Sequence, residues 1–315
     1  MKHWNSYWLT TKTLNSFAEG KHSDGYIDEI ADIWNEIFIT FPNSATILDL
    51  ATGNGALAVL ANKFNGNFKI TASDAANINP LSVHNLSEQN YQLLEKIDFK
   101  SNTPSENLAF ETGKFDRVIS QFGFEYADAQ KAMTEVMRVL RPNGQFIGMI
   151  HHQDSFISKD CLVGLEIIDL LKKKNGLIIE LQNFGNFCQT IINKAEPTLE
   201  QQSQFKAKNT LLLKLFKGIQ SQCSNEAELS WCNLLLKEFL PIVMDWQRTD
   251  SIRVNNIREN LDLFELRLKD QQNAAMSKFD TENIKKIATA NEFNCEIDEI
   301  YHEAEILCWK IKVLK

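Results

Sequence analysis

Ile47-Leu48-Asp49-Leu50-Ala51-Thr52-Gly53-Asn54-Gly55 is the stretch on which the reading of this 315-residue chain turns. The apolar run over 46–50 predicts a short strand that delivers Asp49. The chain then turns through Gly53 and Gly55 into a helix over 56–63. Glycine allows positive φ and lets a ligand approach the backbone, and the start of the helix offers unbonded N–H groups. The turn alone is compatible with a plain strand-to-helix connection. Gly53-Asn54-Gly55-Ala56-Leu57-Ala58 also satisfies the dinucleotide pattern G-x-G-x-x-A, with Asp74 placed 19 residues after Gly55 as a ribose acceptor. Asp49 weighs between the ligand readings. A carboxylate just before the turn repels a pyrophosphate and welcomes a cationic amino-acid group.

Working outward, strands and helices alternate. Strands are expected over 68–74, 97–100, 115–120 and 145–152. Helices are expected over 80–95 and 128–140, the second stopped by Arg141-Pro142-Asn143-Gly144. This alternation predicts a parallel α/β sheet covered on both faces. Upstream, residues 26–39 place Ile27, Ile30, Trp34, Ile37 and Phe38 on one helical face, with Asp24 as N-cap and Pro42 as stop. Nine of 13 glycines precede residue 150, and the following stretch is poor in breakers. Helices are therefore expected over 160–174, 177–194, 198–222, 225–246 and 250–273. A helix over 281–291 and strands over 293–301 and 304–313, joined by a tight connection at His302-Glu303, add an antiparallel pair at the end. The organisation expected is residues 1–42 as an N-terminal helical lid, 43–154 with 281–315 as the α/β core, and 155–280 as an all-helical insertion.

Composition narrows the function. Hydrophobic residues make up 43% and charged residues 23%, which excludes disorder as the main state. Lys+Arg is 33 against Asp+Glu 41, a net charge of −8, so a phosphate-gripping surface for nucleic acid is not expected. The six cysteines form no C-x-x-C pair and read as reduced, mostly buried thiols of a cytoplasmic protein. No signal peptide is legible and no apolar stretch is long enough to span a membrane.

On these residues the chain resembles the class I S-adenosylmethionine-dependent methyltransferases. Asp49-Leu50-Ala51-Thr52-Gly53-Asn54-Gly55 resembles their first motif, with Ala51 replacing the first glycine. Asp74, closing Ile70-Thr71-Ala72-Ser73-Asp74, matches the acid that binds the adenosine ribose. Asn102-Thr103 fall where the family places an acid and a small residue around the adenine, with Asn in place of the usual Asp. Phe115-Asp116-Arg117-Val118-Ile119-Ser120-Gln121-Phe122-Gly123 matches the fourth strand, and Glu135 to Gly144 the helix and turn before the fifth. The resemblance covers about 45–152 and 281–315. It implies a Rossmann-like doubly wound sheet, mostly parallel with an antiparallel last strand. It also implies S-adenosylmethionine as cofactor, S-adenosylhomocysteine as product and no metal. The cofactor contacts implied are Asp49, Ala51, Thr52, Gly53, Gly55, Asp74, Ala75, Asn102, Thr103, Gln121 and Phe122.

Methyl transfer is an in-line displacement whose first demand is alignment. The sequence after strand four lacks an Asn/Asp-Pro-Pro-Tyr/Phe motif, and strands four and five carry no cysteine nucleophile. A small-molecule acceptor methylated on oxygen or nitrogen is therefore expected. A protein or peptide methyltransferase and a non-catalytic adenosylmethionine-binding protein are the alternatives. His151 and His152 end strand five at the rim where such sheets bind ligands, and are the candidate proton acceptors, His152 preferred as the one further toward the cleft. Tyr7, Phe17 and Tyr26 are candidates for a lid that contacts substrate, and Phe124 and Tyr126 for the acceptor pocket. Core packing competes at each of them. His3, His22, His84 and His302 read as surface, and Lys172-Lys173-Lys174 as a solvated helix end. The insertion is expected to roof the active site or to form a face between two copies of the chain.

Overall fold

Three parallel strands carry the expected alternation: β1 (Thr46–Leu50), β2 (Lys69–Ser73) and β4 (Phe115–Gln121). All three are apolar enough to be covered on both faces, as parallel strands require. β1 pairs with β2 on one side and β4 on the other, in registers Asp49↔Ala72 and Asp49↔Ile119. The short β3 (Asp98–Lys100) extends the sheet beyond β2. β5 (Leu140–His151), β6 (Asn294–His302) and β7 (Glu305–Leu314) complete a seven-stranded sheet of order β3-β2-β1-β4-β5-β7-β6. The reversal of order at β1/β4 is the switch point at which open α/β sheets bind ligands, at the carboxyl ends of the strands.

The computed structural model describes residues 1–16, 25–83, 86–173, 176–192, 196–244 and 249–315. Phe17, His22, Asp24, His84 and Lys174 lie outside the described residues. The chain divides into two compact units, Met1–Ser158 with Asn273–Lys315, and Lys159–Gln272.

In the first unit, α3 (Ala56–Phe64) follows β1, and α2 (Asp28–Ile39) buries Ala31, Trp34 and Phe38. α5 (Ala129–Val139) starts at Asp128, whose side chain accepts the Lys131 N–H, and α11 (Lys278–Ala290) starts in a Ser277/Asp280 capping box. One core cluster joins Trp34, Phe38, Ile47, Ala58 and Met149; a second joins Leu48, Phe124, Phe146, Ile150 and Trp309. The expected helix over 80–95 is broken: Pro80 opens a 3-10 turn, and Ser87 caps a separate α4 (Glu88–Leu94) by accepting the Asn90 N–H. The strand expected from 145 starts earlier, because Leu140 already pairs with Phe115. Residues 141–144 then bulge before Arg117↔Gln145 restores the register. The β6–β7 connection turns on Glu303 and Ala304, both at positive φ (46° and 71°), the twist that suits a two-residue hairpin.

The second unit is helical. It contains most of α6 (Phe156–Lys172), then α7 (Leu177–Gln189), α8 (Leu199–Gln220), α9 (Glu226–Met244) and nearly all of α10 (Ser251–Ala274). Leu181, Phe184, Leu212, Phe216, Leu235 and Phe239 build its own core. Lys172, read as solvated, pairs with Asp262 and Glu265 of α10. None of the described helices is long and apolar enough to cross a membrane.

Candidate functional site

The turn after β1 is held open by backbone conformations that side chains rarely adopt. Ala51, Gly53 and Gly55 all have positive φ (56°, 56° and 89°). A Cβ on Gly55 would stand 2.9 Å from the Phe99 ring, and one on Gly53 would stand 2.5 Å from the Trp8 indole. Ala51 tolerates its left-handed conformation next to a glycine: a Cβ at Gly123 would fall 2.6 Å from the Ala51 methyl. Thr52 donates its N–H to Ser73 and its hydroxyl to Asp49 at 2.5 Å, so the turn is tied to both strands.

Two aspartates stand at this turn, both buried. The Asp74 carboxylate accepts the Gly53 N–H at 2.8 Å and the Ala76 N–H at 2.7 Å, one on each oxygen. Each oxygen keeps a further lone pair, so the group can receive two hydroxyls side by side. Burial, opposed by those two N–H groups, pushes Asp74 up to about 6. Burial also pushes Asp49 up to about 7, against the Thr52 hydroxyl and the Ala58 N–H, with the Asp74 charge adding to the rise. The β3 end is sewn to the β2 end: Asn102 donates its N–H to Ala76 and Thr103 to Asp74, while Ala75 is exposed between them. Asn102 has φ +54°, a conformation asparagine tolerates.

Across the switch point, Gln121 and His151 lie on the same sheet face. Gln121 pairs with Met149, and His151 follows two residues later on β5. Gln121 Oε1 accepts the Trp34 indole N–H at 2.6 Å. Phe122, at φ +53°, stacks on His151 with centroids 4.2 Å apart, and Tyr126 meets the same ring edge-on. Glu125 accepts the His151 N–H at 2.7 Å. Burial pushes Glu125 up to about 8, opposed by the His151 N–H. Three neighbours in this corner are buried with a polar atom that has no partner: Gln121 Nε2, Glu125 Oε2 and His151 Nδ1. Tyr26 connects the two halves. Packing around its hydroxyl raises its pKa, and the charges of Asp49 and Glu125 raise it further, so all three groups share one electrostatic environment.

Two expectations are corrected here. His152 faces away from this corner: adjacent strand residues point to opposite faces, and its ring stacks on Trp309 with Nδ1 accepting the Asp154 N–H. Phe124 has no exposed surface and packs against Phe146 in the second core cluster, the core role that competed with the pocket role.

The N-terminal segment covers the turn. α1 (Lys2–Thr10) lays Trp8 over Gly53 and Trp4 edge-on to Tyr126, with centroids 5.3 Å apart. Asn54, fully buried, donates to Trp8 and Thr13 carbonyls, and Asn5 accepts the Asn77 N–H. Tyr7 and Asn15 continue the same cover. The sequence reading missed Glu125 and the particular role of Trp8. An acid inside the apolar run Phe122–Tyr126, at the rim after strand four, was the available signal for Glu125.

Comparison with known proteins adds the following. Residues 47–144 match a family model described as a methyltransferase domain. A ubiquinone/menaquinone biosynthesis C-methyltransferase UbiE of Rickettsia bellii (strain OSU 85-389) is 34% identical over 123 residues, covering 36% of this chain and 48% of that protein. The UbiE of Rickettsia prowazekii (strain Madrid E) is 33% identical over 124 residues, with the same coverage of 36% and 48%. The matched part thus spans about half the length of these curated relatives. Among solved structures, the geranyl diphosphate C-methyltransferase of Streptomyces coelicolor A3(2) aligns at 14% identity and a TM-score of 0.35, covering 47% of this chain and 63% of that one.

Proposed function

We propose that this chain, whose residues 47–144 match a methyltransferase domain model, transfers a methyl group from S-adenosylmethionine to a small-molecule acceptor in the manner of the class I enzymes it resembles. The observation that carries this reading is a set of buried carboxylates at the carboxyl edge of the sheet. Among the described residues no ion pair reaches Asp49, Asp74 or Glu125, and burial raises all three. Buried negative charge is costly unless a positive charge meets it. S-adenosylmethionine supplies that charge on its sulfonium and ammonium, together with a ribose diol and a methyl carbon open to displacement.

The residues fit such a molecule. Asp74, fixed by two backbone N–H groups, takes the ribose hydroxyls. Asp49, Ala51, Thr52, Gly53 and Gly55 receive the amino-acid end, and Ala75, Asn102 and Thr103 frame the adenine. Gln121 and Phe122 stand beside the sulfonium, and α1 with Trp8 and Tyr7 excludes water. Tyr26, Tyr126 and His151 are the acceptor side. Burial holds His151 down at about 3, so the ring stays neutral and orients an acceptor by hydrogen bonding instead of removing its proton. On this reading His151 takes the catalytic position in place of His152. The acceptor atom is oxygen or nitrogen on the sequence reading; the named activity of the curated relatives adds carbon to that set. The net charge of −8 supports a small molecule over a nucleic acid.

Calorimetry tests the donor half: the protein binds S-adenosylmethionine, and Asp74→Ala weakens that binding sharply. Turnover of S-adenosylmethionine to S-adenosylhomocysteine in the presence of a metabolite extract tests the transfer half. Turnover driven only by the macromolecular fraction would point to a protein or peptide acceptor, and binding without turnover in any fraction would leave a binding protein.

A further inference from the structure

Glu125 is not among the family contacts that the sequence implied, yet it is a buried acid at the same rim of the sheet. It is 5% exposed, one oxygen is bound to the His151 N–H, and the other has no partner. No cation stands near it among the described residues. Beside it, Gln121 Nε2 and His151 Nδ1 are likewise buried without partners. Buried polar atoms without partners, on residues gathered at the ends of β4 and β5, point to a ligand that bonds them there.

We infer that Glu125 is the residue by which this site distinguishes the sulfonium of the donor from the thioether of the product. The inference rests on the donor assignment of the preceding subsection. In the transfer the methyl carbon leaves with its bonding pair remaining on sulfur, so the donor loses its positive charge and the product is neutral there. An ionised Glu125 attracts the first and gives nothing to the second. A protonated Glu125 treats them alike. Product release is thereby favoured by the same group that favours donor binding.

The surroundings of Glu125 leave it free to act in this way near neutral pH. Its own carboxyl is raised to about 8. His151 of β5 is held at about 3 and stays neutral. Burial, followed by the Glu125 charge, pushes the Cys308 thiol of β7 up, and the Tyr26 hydroxyl ahead of α2 is pushed up as well, so neither ionises in this range. Asp128, at the start of α5, is exposed with its carboxylate on the Lys131 N–H. Further out, Lys310 is paired with Asp298 and Glu29 with His302. Asp49 of β1, at about 7, changes charge in the same window, and its own variant separates the two.

The test is calorimetric titration of wild type, Glu125→Gln and Asp49→Asn with S-adenosylmethionine and with S-adenosylhomocysteine at pH 6.5, 7.5 and 8.5. The wild-type affinity ratio of donor to product is expected to rise about tenfold across this range. Most of that rise is expected to be lost in Glu125→Gln, which still binds both molecules, and kept in Asp49→Asn. A flat ratio in wild type overturns the inference. So does a rise that survives Glu125→Gln and vanishes in Asp49→Asn. Failure of wild type to bind either molecule overturns the donor assignment and this inference together. Binding of both at a constant ratio overturns this inference alone.

Discussion

The helical unit and the rim of the sheet treat buried charge in opposite ways. In the helical unit, Lys172 of α6 meets both Asp262 and Glu265 of α10, and Lys269 meets Glu265 again. Burial alone would raise Glu265, but hydrogen bonds from Lys172 and Lys269 hold it below the ordinary carboxylate range. At the rim, Asp49, Asp74 and Glu125 are buried more deeply and have only N–H and hydroxyl donors, and all three are pushed up. A charge kept for stability is matched within the chain. A charge left unmatched in a fold that could have supplied a lysine marks a place where a ligand brings the counter-charge.

The largest effect expected from breaking this contrast is at the rim. Asp74→Ala removes a buried carboxylate with two fixed N–H partners and should weaken S-adenosylmethionine binding by on the order of 100-fold in calorimetry. Lys172→Met should leave that affinity unchanged.

Stability against pH comes next, and its sign follows from the raised acids. Their folded values, about 7, about 6 and about 8, lie above the ordinary values of these carboxyls, 3.8, 3.8 and 4.5. The folded state therefore binds protons more tightly than the unfolded chain. The stability this contributes is full below pH ~4 and is lost as pH rises through the folded values. Thermal melts of the ligand-free protein should show Tm falling by roughly 5–10 °C from pH 5.5 to 8.5. Asp49→Asn and Glu125→Gln should each flatten the fall, and saturating S-adenosylmethionine should oppose it.

The smallest effects sharpen the contrast. Trp8→Ala uncovers Gly53 without touching an acid, and should weaken donor binding by several-fold while the pH dependence of Tm persists. Lys172→Met, at a pair that is partly solvent-screened, should cost only about 1 kcal/mol in denaturant unfolding.

Much of the sheet was legible because hydrophobic period, glycine turns and caps act locally. β1, the Gly53/Gly55 turn and the start of α3 follow from nine residues, and Asp74 from the strand it closes. What was not legible depends on contacts distant in sequence. His151 and His152 differ by one residue and so by a whole sheet face. Which of them meets the rim is settled by the pairing of His151 with Cys308 on β7 and by the Trp309 ring beside His152. Phe124 and Glu125 are neighbours in a short apolar run, and only the packing of Phe124 against Phe146 shows which of the two is turned into the core. Trp8 acquires its place because Asn54, far along the chain, holds the carbonyls of Trp8 and Thr13. Segment 80–95 was misread because Ser87 is as good a cap as a mid-helix residue, and helical periodicity does not distinguish the two.

The most direct test of the central claim is a crystal structure of the protein grown with S-adenosylhomocysteine. The account predicts the two ribose hydroxyls on the two oxygens of Asp74, the amino-acid end at Asp49 and Gly53, and the sulfur on the side of Gln121 and Glu125. A nucleoside bound elsewhere, or a crevice at the β1/β4 switch point that stays empty at saturating concentration, would contradict it.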